Sequence, residues 1–290
     1  MANGERVKMI RRLPPAATPV SLKELLICGS ELLRNSDNSQ RLEKQFSEAL
    51  GAEYLLTVSS GRAALTIILK MLSKISEKRE IIIPAYTCPS VAAAVVKSGL
   101  KVVLCDLEEN GLGYDINQLS SLAGDDTLAI ICVHLFGCHV ATDKIIEIGK
   151  EKGIYIIEDK AQAASTVYGK LSESLKGDIG FYSLGRGKNI TTGGGGIIVT
   201  NRQEFADGMR LIASEDYKKN IFGSFSAFFQ LIAYAIFIQP IFYFLPQSLP
   251  FLRLGETIYS TDFKISFLTP VQLQMGRLMI KKLDMLNSSR

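Results

Sequence analysis

The chain has 290 residues, 47% apolar and 21% charged, with 24 glycines. That composition belongs to a folded globular protein and excludes disordered, collagen-like and coiled-coil chains, while the length suits one large or two ordinary domains. Thirty-three basic residues against 29 acidic ones leave a net charge of +4, with the signs interspersed, so a nucleic-acid partner is not implied.

The opening stretch, MANGERVKMIRRLPPAA, lacks the apolar run and cleavage site of a secretory signal. Leucines at helical spacing predict helices over 22–33 and 42–50, the second stopped by Gly51. From Glu53 to Asn201 short apolar runs alternate with longer amphipathic ones, the pattern of an α/β fold. Strands are predicted at 54–58, 81–83, 102–105, 129–133, 154–157, 180–183 and 197–200, with helices at 63–75, 90–98, 116–122, 142–152 and 203–214. Right-handed crossovers make most of these strands parallel, with ligands bound at their carboxyl ends.

The texture then changes, for residues 220–252 contain no Asp, Glu, Lys or Arg. Within them Phe225 to Leu245 holds 17 apolar residues in 21, long enough to span a bilayer, but Pro240, Pro246 and Pro250 interrupt it. A helical hairpin is therefore expected, with Lys218, Lys219 and Arg253 at its base. Two readings stand side by side: the hairpin packs on protein, as an insertion or dimer surface, or it dips into a membrane interface. A last amphipathic helix is predicted over 269–286, with Pro270 in its first turn.

The five cysteines, Cys28, Cys88, Cys105, Cys132 and Cys138, form no CxxC pair, and a reducing cytoplasm is the expected compartment. Cys132, His134, Cys138 and His139 match no zinc spacing, so no metal is expected.

Four polar clusters fall at predicted strand ends. Ser59-Ser60-Gly61-Arg62 precedes a helix, where free N–H groups and the helix dipole would receive a phosphate; a plain serine-capped turn is the alternative. Glu158 and Asp159 end a buried strand with side chains on opposite faces, so one can face a site while the other supports it. A buried carboxylate there needs a partner, such as a cationic ring nitrogen, or else serves as a cap or in an ion pair. The run Ser183-Leu184-Gly185-Arg186-Gly187-Lys188-Asn189 places a lysine in a glycine-rich turn, where partial desolvation makes an imine-forming nucleophile; a solvated or phosphate-binding lysine is the alternative. In the fourth, spanning 191–196, Gly193 to Gly196 opens a strand, not a helix, and reads as a tight turn; GxxxxGK[ST] is also absent, because Asn189 follows Lys188.

In order, SSGRAAL, IIIPAYTCPSV, VHLFGCHV, IIEDKAQA and GDIGFYSLGRGKNITTGGGGIIVTN resemble the DegT/DnrJ/EryC1/StrS-type nucleotide-sugar aminotransferases, over roughly residues 38–214 and again from Thr269. The resemblance implies a fold-type-I large domain that binds pyridoxal 5'-phosphate, built on a mostly parallel seven-stranded sheet between helices, in a homodimer. It implies conversion of a nucleotide-linked keto sugar to an amino sugar in polysaccharide or glycoconjugate synthesis, with glutamate as the expected amino donor. Lys188 would be the Schiff-base lysine and proton shuttle, and Asp159 would keep the pyridinium nitrogen protonated. Gln162 would lie beside the ring. Ser60, Gly61, Arg62 and Ser183 would hold the phosphate, Cys88 and Asn189 would complete the cofactor set, and His134 would either line the substrate side or be a satisfied structural histidine. Lysine at 188 favours amino transfer over the similar dehydratase branch, which places histidine there.

The sequence also departs from the family pattern. Arg62 stands for threonine, Cys88 for the aromatic ring that stacks on the cofactor, and Gly194 for glutamate. Lys160 is unusual and is expected to face away from the site, and near 263–266 the family's asparagine and arginine are missing. The resemblance divides the chain into an N-terminal arm (1–37), a cofactor-binding large domain (38–219), an apolar insertion (220–262) and the start of a connecting helix (263–290), with the C-terminal small domain absent. On that division the chain is expected to bind cofactor better than it turns over. Two rivals follow: a cofactor-binding, non-catalytic protein acting by interaction or membrane association, and a sugar dehydratase. The expected location is the cytoplasm, at the inner face of the membrane if 220–252 meets lipid and not protein.

Overall fold

The computed structural model describes residues 18–33, 39–164, 175–188, 190–215, 223–249 and 257–282. Seven strands, β1 (Tyr54–Val58), β2 (Glu80–Pro84), β3 (Lys101–Cys105), β4 (Thr127–Val133), β5 (Tyr155–Asp159), β6 (Ile179–Ser183) and β7 (Gly196–Thr200), form one sheet in the order β1-β7-β6-β5-β4-β2-β3. β4 is buried at every position, as its unbroken apolar run requires of a strand covered on both faces. β7 alone is reversed, antiparallel to both β1 and β6, while the remaining pairings are parallel. The other six strands therefore deliver their carboxyl ends to one edge, where β7 begins.

Helices cover both faces: α1 (Leu22–Ser30), α2 (Ser39–Leu50), α3 (Gly61–Ile75), α4 (Pro89–Lys97), α5 (Ile116–Leu122), α6 (Asp143–Lys152), α7 (Gln203–Glu215), α8 (Gly223–Phe237), α9 (Phe244–Gln247) and α10 (Pro270–Ile280). Strand alternation sorts the core. On one face Ile81, Ile83, Ile131 and Ile157 pack with Leu65 and Ile68 of α3, Val91 of α4 and Met209 of α7. On the other, Ile82, Ile130 and Ile156 meet Leu119 of α5 and Ile145 of α6. Across the β1-β7-β6 end of that second face, α1, α2, α8 and α10 bury Cys28, Leu42, Leu231 and Met275 against Leu55, Tyr182 and Ile197.

The predicted alternation is present, with informative shifts. β5 extends through both carboxylates, so Glu158 and Asp159 belong to the ladder and not to the loop after it. α1 stops at Ser30 instead of Leu33, and the last predicted helix is described only to Ile280, residues 283–290 lying outside the described residues. The expected hairpin reduces to one long helix and a short one. α8 buries Ala227, Leu231 and Ala235, one stripe at four-residue spacing, while α9 has four residues because Pro240 and Pro246 interrupt the second arm. Lys218, Lys219 and Arg253 lie outside the described residues. Among the described residues no helix is long and apolar enough to cross a membrane.

Ile131 is fully buried in the central strand. Ile131→Ala is expected to cost about 2–5 kcal/mol, lost apolar transfer plus the cavity left behind, read as a lower urea midpoint at unchanged slope.

Candidate active site

The reversal of β7 aligns three residues in one row, for Val58 pairs with Gly196 and Gly196 with Ser183. A Cβ at Gly196 would lie 2.5 Å from the Ser60 carbonyl oxygen and 2.9 Å from the Gly61 nitrogen. The turn leaving β1 thus lies directly on the first residue of β7. A Cβ at Gly61 would lie 3.3 Å from Ser183 Cβ, which sets the start of α3 against the end of β6. Ser60 caps that helix, its Oγ accepting from the Ala63 N–H at 3.1 Å while Ala64 N–H donates to the Ser60 carbonyl. The N–H groups of Gly61 and Arg62 precede the first intrahelical bond, so they point outward with the positive end of the helix dipole.

The two carboxylates of β5 face opposite ways. Asp159 shares the face of Ile157 and α3 and is 5% exposed. Its Oδ1 accepts from Ala161 N–H at 2.9 Å. Burial pushes this carboxyl up to about 6, against the lowering effects of that N–H and of the Lys188 charge. The fold therefore brings the predicted lysine within electrostatic reach of the predicted carboxylate. Lys188 sits half-buried in a turn where its N–H donates to the Gly185 carbonyl and Gly187 adopts φ +79. Asn189 lies outside the described residues.

Glu158 faces the other side and is buried among donors. Its Oε2 lies 3.1 Å from His134 Nε2 and 3.0 Å from Lys160 Nζ, while Oε1 accepts from the N–H groups of Lys176 and Gly177 at 2.8 and 2.6 Å. Burial pushes this carboxyl up, but His134, Lys160 and Gly177 together outweigh it and hold it at about 2. Lys160, as expected, turns away from Asp159.

Of its two readings, His134 takes the structural one and not the substrate-facing one. Alternation along β4 continues through it, so it points with Cys132 toward the Glu158 side, 2% exposed. Its Nδ1 accepts from Val140 N–H at 3.2 Å while Nε2 engages Glu158, leaving neither ring nitrogen for a ligand. Through its backbone it still contributes: His134 N–H donates to the Asp159 carbonyl at 3.0 Å.

Gln162 Oε1 accepts from Phe136 N–H at 2.7 Å, holding a residue at φ +55 that is 67% exposed. Cys88 precedes α4, takes a hydrogen bond on Sγ from Ser90 Oγ at 3.0 Å and packs against the sheet face that carries Asp159. Among the described residues no three His, Cys, Asp or Glu side chains are placed to hold a metal ion.

Several site neighbours were invisible to sequence reasoning. The extended segment before α10 docks on the first cluster, with Ser59 N–H donating to the Ser266 carbonyl at 2.7 Å and Ser266 N–H donating back to Ser59 Oγ at 3.2 Å. There Phe263 lies 5.0 Å from the Arg62 guanidinium and 4.6 Å from the Lys97 ammonium, measured to the ring centroid. Thr18 donates its hydroxyl to the Lys188 carbonyl at 2.7 Å. These partners lie far apart in the chain and carry no local signature.

The family model described as the DegT/DnrJ/EryC1/StrS aminotransferase family matches residues 23–228. The chain is 30% identical over 188 residues to the spore coat polysaccharide biosynthesis protein SpsC of Bacillus subtilis (strain 168), an alignment covering 65% of this chain and 48% of that protein. It is 33% identical over 168 residues to a GDP-perosamine synthase of Escherichia coli O157:H7, covering 58% and 46% respectively. Among solved structures, an aminotransferase from Psychrobacter cryohalolentis superposes with a TM-score of 0.69 at 25% identity, covering 93% of this chain and 64% of that one. The chain thus spans about half the length of the curated relatives it matches.

The folded protein holds the Asp159 proton more tightly than the unfolded chain, so the cost of the buried charge is absent at low pH and sets in as pH rises from about 4 through about 6. Asp159→Asn keeps an acceptor for Ala161 and removes that cost. With no cofactor added, the variant is expected to exceed the wild type in stability at pH 8 by about 2–3 kcal/mol and to converge with it at pH 4, measured by urea unfolding.

Proposed function

We propose that this chain, which belongs to the DegT/DnrJ/EryC1/StrS aminotransferase family, is the cofactor-binding part of a pyridoxal 5'-phosphate-dependent enzyme that converts a nucleotide-linked keto sugar to an amino sugar, with glutamate as donor. The observation that carries this reading is a buried carboxyl, Asp159, at the sheet edge where Ser183 meets the start of α3 and from which the Lys188 turn departs. The names of the relatives, spore coat polysaccharide biosynthesis and GDP-perosamine synthesis, support the sugar and the biosynthetic setting. A homodimer and a cytoplasmic location complete the reading.

The residues fit the cofactor group by group. Free N–H groups of Gly61 and Arg62, the helix dipole behind them and the Ser183 hydroxyl beside them suit a phosphate. With its guanidinium stacked on Phe263, Arg62 offers its N–H to that phosphate. A buried carboxyl poised near neutrality suits a ring nitrogen that carries a proton, and a half-buried lysine suits an aldehyde.

When bound, pyridoxal phosphate supplies an electron sink for the charge left when the donor's α-carbon loses a proton. Lys188 Nζ would take that proton from the donor's α-carbon and return it on the acceptor side. The Asp159 carboxylate would hold a proton on the ring nitrogen, and Gln162 would lie beside the ring. Glu158, His134 and Lys160 keep the end of β5 fixed, so Asp159 keeps its aim.

Contact with a membrane surface is proposed for the uncharged segment. α8 turns Phe225, Phe229, Ile236 and Phe237 outward, and Ile241, Phe242, Phe244 and Leu245 continue the exposed apolar surface. Such a surface suits burial at the headgroup boundary.

Incubation with pyridoxal phosphate, borohydride reduction and peptide mass spectrometry are expected to place an adduct on Lys188, and none in Lys188→Ala. With nitrogen-15 glutamate and a nucleotide-linked keto sugar, the label is expected in the sugar. Ammonia release instead marks the dehydratase reading, and an adduct without transfer marks a binding-only chain. For the membrane contact, the protein is expected to float with phosphatidylglycerol-containing vesicles and Phe229→Glu/Phe242→Glu to remain in the dense fraction. A wild type that also stays there overturns that contact.

A further inference from the structure

The apolar helix α8 lies directly behind the Lys188 loop, and hydrogen bonds join the two through Thr18. Tyr234 Oη accepts from Thr18 N–H at 3.0 Å and donates to the Thr18 carbonyl at 3.2 Å. One hydroxyl thus satisfies both backbone groups of a residue that is itself fully buried. Thr18 Oγ1 in turn donates to the Lys188 carbonyl at 2.7 Å. One turn earlier on α8, fully buried Leu231 packs on the same loop, where a Cβ at Gly193 would come within 3.2 Å of its Cδ2. Gln272 of α10 closes the other flank, donating from Nε2 to the Gly194 carbonyl at 2.9 Å.

We propose that Tyr234 and Thr18 are positioning residues for Lys188, and that holding the lysine-bearing loop is a function of the uncharged segment in its own right. The reason is mechanical. A lysine side chain has four rotatable bonds, so the place its amine reaches is set by how firmly its backbone is held. At 188 that backbone sits in a turn with a left-handed glycine just before it, and the Thr18 hydroxyl anchors its carbonyl from outside the turn. The tyrosine hydroxyl explains itself by the same contact: a phenylalanine would fill the space but remove both hydrogen bonds that tie α8 to the Thr18 backbone. No spacing rule links residues 18, 188 and 234, and the inner face of α8 is committed to this contact whatever meets its outer face.

The test uses Tyr234→Phe and Thr18→Val, with Thr18→Ser as the variant that keeps the hydroxyl. Deuterium uptake of the peptide spanning 184–193, read by mass spectrometry without added cofactor, is expected to quicken at least about tenfold in the first two variants. It is expected to stay like the wild type in Thr18→Ser, with uptake in β4 and α3 unchanged throughout. In the same two variants, the rate at which pyridoxal phosphate is trapped on Lys188 by borohydride is expected to fall, with a shifted pH midpoint, and Thr18→Ser is expected to restore both. Unchanged uptake in 184–193 overturns the proposal, as does faster uptake everywhere without rescue by serine, which marks a contact that only holds the fold together. The trapping measurement rests on the cofactor reading, whereas the exchange measurement does not. A wild type that traps no cofactor therefore sinks that reading and leaves exchange to decide the clamp.

Discussion

At Gly196 the backbone of β7 touches the backbone of the turn leaving β1, at a distance no side chain would permit. That contact exists because one strand of seven runs backwards between two that run forwards. The reversal puts the beginning of β7 beside the ends of β1 and β6. The start of α3, Ser183 and the glycine turn after Lys188 then share one edge. Gly61 repeats the device one step along, giving α3 its close approach to Ser183. Two missing Cβ atoms thus hold together a cradle whose pieces come from opposite ends of the domain.

The neighbouring carboxylates of β5 show how little burial by itself decides. Both are almost wholly buried, yet Asp159 is pushed up to about 6 and Glu158 held at about 2. The difference is the number of donors. Glu158 has an ammonium, an imidazole N–H and two backbone N–H groups within hydrogen-bond distance, enough to outweigh desolvation. Among the described residues Asp159 takes a hydrogen bond from one backbone N–H, with the Lys188 and His134 side chains acting at longer range. A carboxylate so under-supplied is a stability cost in the bare chain and a place kept for a cation, whereas its neighbour is satisfied and structural.

Nothing in the order of the residues ties the uncharged segment to the strand-end clusters. The structure joins them. α8 buries one stripe in the core that also holds β6 and β7, and from that stripe Leu231 and Tyr234 reach the lysine loop by packing and through Thr18. Its outer face remains apolar and exposed, so one helix carries two different surfaces with different consequences.

Much of this was legible in the residues. Short apolar runs marked all seven strands to within a few residues, because burial on one or both faces leaves an apolar signature that is readable at short range. The ends of those strands marked the chemistry: Ser60-Gly61, Asp159, Ser183 and Lys188 each sit where a strand gives way to a turn. Alternation even separated Glu158 and Lys160 from Asp159. The same rule, carried one residue past β4, would have turned His134 away from the substrate side, since its face is that of Cys132. What the sequence could not contain was any pairing set by the path of the chain in space. Thr18 on Lys188, Ser266 on Ser59 and Tyr234 on Thr18 join residues far apart, and hydrogen bonds of that kind leave no periodicity and need no particular spacing. Local propensity determined the elements and the chemistry at their ends; only tertiary packing decided which of those ends meet and what stands behind them.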